Sequence, residues 1–212
     1  MRKLTVVALI VVLLTAAVTL GQFAGTSDEY SRYNSGWNGT SEFFGDISDP
    51  QCVWDAKDIS GKSSTMLLII APSADFTGEG LLEYLQAGNT LLIFDQEGNA
   101  NSFLTYIGCS IQVHDAEVRS SNMEYKDSGL FRADVLINLL GTNVSHLFFN
   151  YPGYVTGGET IIQTSQLAWV DKDGDNTADK DETLKVYSLA ASETISNGKI
   201  VVIADPSLFV NN

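Results

Sequence analysis

The sequence predicts an α/β fold, with a mostly parallel sheet in three layers placed after an N-terminal transmembrane helix. Three observations carry this expectation. Continuous apolar runs, MLLIIAP at 66–72 and TLLIFD at 90–95, have the length and composition of strands buried on both faces. Helical patterning lies between such runs, which is the order of a βαβ unit. An uncharged stretch, TVVALIVVLLTAAVTL at 5–20, follows Arg2 and Lys3 and is close to the length needed to cross a bilayer as a helix.

Each element can be justified in turn. FTGEGLLEYLQAGN reads as a helix, with Thr77 as N-cap, Leu81, Leu82 and Leu85 as its apolar stripe, and Gly88 in the left-handed position that ends it. NANSFLTYIG supplies a second short helix ending at Gly108, and CSIQVH a third strand. The weakly patterned stretch from Asp115 to Tyr154 reads as loop, with a helix around 133–140. ETIIQTS, AWV and TLKVYSLA are strand-like, and 199–204 forms the last strand. Asp205 then caps a helical turn whose first position is Pro206, where a missing N–H costs nothing. A helix beginning there has little chain left, so a longer parent sequence is expected.

The predicted organisation is a cytoplasmic stub at 1–3, a membrane anchor at 4–21, an extracytoplasmic arm at 22–50 and one domain at 51–212. The basic residues before the apolar run should stay in the cytoplasm, which places the domain outside the cell membrane on a single-pass anchor. Poor cleavage patterns after that run favour an uncleaved anchor over a signal peptide that is cut. With 26 acidic against 12 basic residues, the net charge of −14 argues against nucleic acid or an anionic membrane surface as partner. Cys52 and Cys109 could form one disulfide in an oxidising compartment, and Cys109 within GCSIQV could equally be a buried small hydrophobe. The sequons at Asn38 and Asn143 are potential glycan sites there.

The most specific local signal is DKDGDNTADKDE at 171–182, where six carboxylates fall within twelve residues. Like charges repel on a short loop unless a counter-ion makes the crowding useful. Counting from Asp171, side-chain oxygens at Asp171, Asp173, Asp175, Asp179 and Glu182, with the Thr177 carbonyl, match the ligand positions of a calcium-binding loop. Asn176 stands where that pattern wants Gly, and Asn is the non-Gly residue most at ease with positive φ. The β-prone flanks suggest a strand-loop-strand clasp holding structural Ca2+ at about 0.1 to 1 mM, as in extracellular modules. Elsewhere, Ser73 and Asp75, then Asp95, Gln96 and Glu97, then Asp205 and Ser207 follow predicted strands, where an α/β sheet presents ligand sites. Capping and turn chemistry calls for the same residue types, so a binding rim and plain loop chemistry are both open.

YSRYNSGWNGTSEF, LLIIAPSADFT, QAGNTLLIFDQEGNANSFLTYIG and NGKIVVIADPSLFVNN resemble successive blocks of a membrane-anchored prokaryotic family of unknown function. Its fold is similar to the class I glutamine amidotransferase domain, a flavodoxin-like α/β layer. The resemblance implies protein partners in a membrane assembly system that includes MoxR-type ATPases. It does not imply amidotransferase chemistry, because the turn after TLLIF reads DQEGNAN and lacks the nucleophilic Cys. The expected function is therefore non-catalytic binding of protein or ligand. The alternative is a hydrolase using Asp95, Glu97 or Asp205.

Overall fold

A computed structural model describes residues 26–122, 127–137 and 144–211. The chain divides into two compact units, one formed by Met1–Pro50 with Phe209–Asn212 and the other by Gln51–Leu208. The expected anchor at 4–21 lies outside the described residues, and no helix among the described residues is long and apolar enough to cross a membrane.

The small unit is held by side-chain amides. Asn34 and Asn211 are buried. Asn211 donates from Nδ2 to the carbonyls of Asn34 (3.0 Å) and Gly36 (2.7 Å), and its Oδ1 accepts from the Glu42 N–H (2.9 Å) at the start of helix α1 (Ser41–Asp46). The Phe43 ring lies 4.3 Å from that of Phe209. Gly39 is required by close approach, since a Cβ there would come within 1.9 Å of the Asn34 carbonyl oxygen.

The large unit is mostly β. Its main sheet runs β1 (Met66–Ile70), β2 (Thr90–Phe94), β11 (Gly198–Ile203), β10 (Ser188–Ile195), β8 (Glu159–Gln163), β5 (Leu130–Val135), β6 (His146–Asn150). A further pair, β3 (Gln112–His114) with β7 (Tyr154–Thr156), joins it through β10. β4 (Val118–Ser120) and β9 (Ala168–Val170) form a separate two-stranded ribbon. Only β1, β2 and β11 are mutually parallel; the other pairings are antiparallel. With α2 (Leu81–Gln86) and α3 (Asn101–Tyr106), the described residues contain three helices of 6 residues each.

The expectation of a three-layer, mostly parallel α/β fold is therefore wrong. One βαβ unit, β1-α2-β2, is present as read, but the place beside β2 is taken by β11, from the far end of the chain, with Lys199 opposite Thr90. CSIQVH is displaced to pair antiparallel with β7, Val113 opposite Val155. The helix expected around 133–140 is contradicted over its described start, because β5 occupies Leu130–Val135 with Phe131 and Ala133 buried and Arg132 and Asp134 exposed. That period of two is the signature of a half-buried strand. Antiparallel strands need only tight connections, so few residues are left for covering helices.

The two covering helices nevertheless close a real core. Leu85 of α2 and Phe103 and Leu104 of α3 pack with Leu91, Ile93, Ile200 and Val202 of the parallel strands. Full burial of such side chains is worth about 1.5–3 kcal/mol each. Helix α2 starts later than read: its N-cap is Gly80, not Thr77. Its end is as read, with Gly88 at φ +85°. Gly78 packs against the Phe103 ring, which a Cβ would approach to 2.2 Å.

Candidate functional site

The acidic loop leaves β9 and returns along an extended segment that bridges Lys185 to Ala168, so its flanks are strand-like. Its first ligand position is the most constrained. The Asp171 side chain is 1 % exposed; Oδ1 accepts from the Gly174 N–H (2.8 Å) and Oδ2 from the Asn176 N–H (3.1 Å). Asn176 adopts φ +67°, the left-handed geometry that the Gly-requiring position demands. Oxygens of Asp171, Asp173 and Asp175 lie within 4.8 Å of one another. Glu182 is buried and folds back over the loop, accepting from the Lys172 N–H (2.6 Å) and the Asp179 N–H (3.2 Å). Thr177 turns its N–H and hydroxyl to Asp175, which holds that carboxyl below its ordinary range. The Asp175 charge foremost, with Asp173, Glu182 and Asp181, pushes the Asp179 carboxyl up. Oxygens converging on a loop whose charges repel are what a hard cation would relieve.

Behind the loop stands a residue that sequence reasoning missed. Arg119, at 6 % exposure in the middle of β4, faces Asp171, Glu117 and Asp127 together. Its Nε lies 2.7 Å from Asp171 Oδ2 as an ion pair whose angle falls short of a hydrogen bond. Nη1 donates to the Ser128 hydroxyl at 3.0 Å, and the guanidinium lies 5.2 Å from the Tyr151 ring centroid. The Tyr151 hydroxyl donates to Asp127 (2.5 Å), lowering the Asp127 carboxyl and raising its own pKa. The root of the loop is thus fixed by side chains from beyond the loop. A lone arginine in the strand-like EVRSS of so acidic a chain was the available signal.

The strand-end residues are placed at one end of the parallel strands, and their polar atoms serve turns. Asp95 is 1 % exposed and accepts the N–H groups of Glu97 (3.0 Å), Gly98 (2.9 Å) and Ala100 (2.8 Å). Asp205 accepts from Asn150 (2.8 Å) and Ser207 (2.8 Å); burial pushes its carboxyl up to about 6, against the lowering effect of those N–H groups. The Ser73 hydroxyl donates to Asp75 (2.5 Å), Gln96 Nε2 donates to the Tyr151 carbonyl (2.6 Å), and Glu97 accepts from Asn99 (3.0 Å).

Cys52 and Cys109 are not joined by a disulfide. Cys52 is exposed before the first strand, whereas Cys109 is buried in the core, with Sγ 3.5 Å from Glu193 Oε2. Burial foremost pushes the Cys109 thiol up to about 12, which leaves no thiolate for nucleophilic chemistry. Asn38 accepts from Asn34 Nδ2 (2.9 Å), and the sequon's Thr40 is buried with its hydroxyl on the Tyr30 carbonyl (2.9 Å). Asn143 lies outside the described residues.

No curated protein matches the chain. Among solved structures, the mmIFT52 N-terminal domain matches with a TM-score of 0.53 at 15 % identity, over 78 % of this chain and 77 % of that one, a likeness of fold alone. A β-galactosidase from Rahnella sp. R3 matches at a TM-score of 0.34 and 13 % identity, over 68 % of this chain and 20 % of that one, too distant to carry an argument. The model of a domain of unknown function, DUF4350, matches residues 32–212, and the chain therefore belongs to the DUF4350 family.

Proposed function

We propose that this chain is a non-catalytic binding domain, held outside the cell membrane by residues 4–21 and stapled by Ca2+ at Asp171, Asp173, Asp175, Thr177, Asp179 and Glu182. The observation that carries the calcium reading is the convergence of the Asp171, Asp173 and Asp175 oxygens within 4.8 Å, on a loop that gives Asn176 the required left-handed turn. The non-catalytic reading is supported by the strand-end carboxylates Asp95 and Asp205, whose hydrogen-bonding capacity is directed into turns. The resemblance noted in the sequence points to protein partners in a membrane assembly system.

Thermal unfolding tests the staple. A ligand that binds only the native state stabilises it by about 1.4 kcal/mol at a tenfold excess over Kd. In a domain of this size that raises Tm by roughly 3–6 °C. The expected result is such a rise at several millimolar calcium, absent in Asp173→Ala and Asp175→Ala. Those two residues are the better probes, because Asp171 also balances Arg119. A rise that survives both substitutions, or no rise at all, would sink the calcium reading. For the catalytic alternative, turnover of ester, glycoside or amide substrates that disappears in Glu97→Gln would overturn the binding reading.

A further inference from the structure

The sheet ends at β1, which pairs only with β2 among the described strands. The register decides which of its peptide groups are used. The Thr65 carbonyl accepts from the Thr90 N–H and the Ala71 N–H donates to the Phe94 carbonyl, so residues 65, 67, 69 and 71 turn their peptide groups toward β2. By alternation, the N–H and C=O groups of Met66, Leu68 and Ile70 face outward, along the open edge.

Proteins ordinarily defend such an edge with lysine, proline or a bulge. β1 has none of these: its residues are MLLII and its register with β2 is unbroken. β2, of similar composition, has three of five residues buried, whereas β1 has none, and Met66 is 47 % exposed. The difference is that no described strand lies on the outer side of β1. Alongside run two grooves of about 480 and 510 Å³ that share Val53, Trp54, Ile59 and Leu67. Trp54 lines both and is 81 % exposed. Four acids line these grooves, Asp55, Asp58, Asp75 and Glu79, against Lys62 on the lining and Lys57 beside Asp55 (3.9 Å).

We infer that β1 is a strand-addition site whose occupant is an extended segment of a partner protein, apolar at alternate positions and flanked by lysine or arginine. The segment pairs with the outward peptide groups of Met66, Leu68 and Ile70, and its side chains on one face enter the grooves beside Trp54. The acidic rim selects the charge. A second copy of this chain would bring the same acids and a net charge of −14 against itself, so charge favours a basic partner over self-pairing. This inference gives the proposed binding domain the chemistry of its partner, and it needs nothing from the calcium loop.

The test uses the full chain in detergent micelles and a fluorescein-labelled peptide of six alternating valines and threonines with two lysines at each end. Saturable binding is expected by anisotropy, with new hydrogen-exchange protection at the Leu68 and Ile70 amides. Leu68→Pro removes an outward N–H and spares the bonds to β2. It should weaken binding about tenfold, as should replacing the flanking lysines by aspartates. Should Leu68→Pro lower Tm, Met66→Lys at the exposed end takes its place, repelling the basic peptide. No binding, or binding indifferent to these substitutions, overturns the inference. So does a dimer in sedimentation that Leu68→Pro abolishes, which would assign the edge to a second copy. Titrations with and without chelator separate the readings: peptide binding lost while calcium still raises Tm removes this inference alone.

Discussion

Asp205, two residues beyond β11, has no exposed surface, and its carboxyl is pushed up to about 6 from an ordinary 3.8. The folded state therefore binds this proton more tightly than the unfolded chain does. Its contribution is fully present below about pH 4 and is lost as pH rises through about 6. The loss should be on the order of 2–3 kcal/mol. Urea unfolding of wild type and Asp205→Asn at pH 4.5 and 7.5 checks this, since the variant should gain on the wild type at the higher pH; a difference that does not change with pH would refute it. Arg119 is the opposite case, a buried cation among carboxylates. Arg119→Met leaves Asp171 charged and buried, and should cost about 3–5 kcal/mol in chelator. Calcium should recover more stability in this variant than in the wild type, because a dication then supplies the missing positive charge. Equal recovery in the two proteins would show that Arg119 and the loop act separately.

At the scale of elements, β1 and β2 were legible because LLII and LLIF are long enough and apolar enough to be strands in any sheet. β5 was not. Its alternation shows only in Phe131 and Ala133, and Arg132 and Asp134 between them break up any apolar run. The junction that sets α2 between β1 and β2 rests on Asn89. Its Oδ1 accepts from the Thr65 N–H (2.9 Å) and its Nδ2 donates to the carbonyls of Lys62 (2.8 Å) and Tyr84 (2.9 Å). Asn89→Ala removes these three and a fourth, from the Thr65 hydroxyl to Oδ1 (3.0 Å), and leaves buried polar groups unsatisfied, with an expected cost of about 2–3 kcal/mol. Denaturant midpoints measure it, and a change below about 0.5 kcal/mol would mean that water replaces the amide. The acidic loop was readable residue by residue, since ligand spacing is a local property. Its anchoring was not, because Arg119 lies 52 residues before Asp171 in the sequence.

For the whole molecule, composition and local pattern carry a good deal. The sequence alone determined the strong acidity, the position and spacing of the loop at 171–182, and three strands read at 66–72, 90–95 and 199–204, which the structure bounds at 66–70, 90–94 and 198–203. It also carried the family resemblance, to which the Asn-rich ends contribute. Asn211 is clamped onto Asn34, Gly36 and Glu42, so two distant motifs answer to one set of hydrogen bonds. Tertiary structure alone decided that β11 and not β3 lies beside β2, that the other strands run antiparallel, and that Asp171 meets Arg119. It also left β1 paired with β2 alone among the described strands. The reason is physical: strand formation depends on residues a few positions apart, whereas the neighbour a strand takes depends on which edges the rest of the chain leaves unpaired.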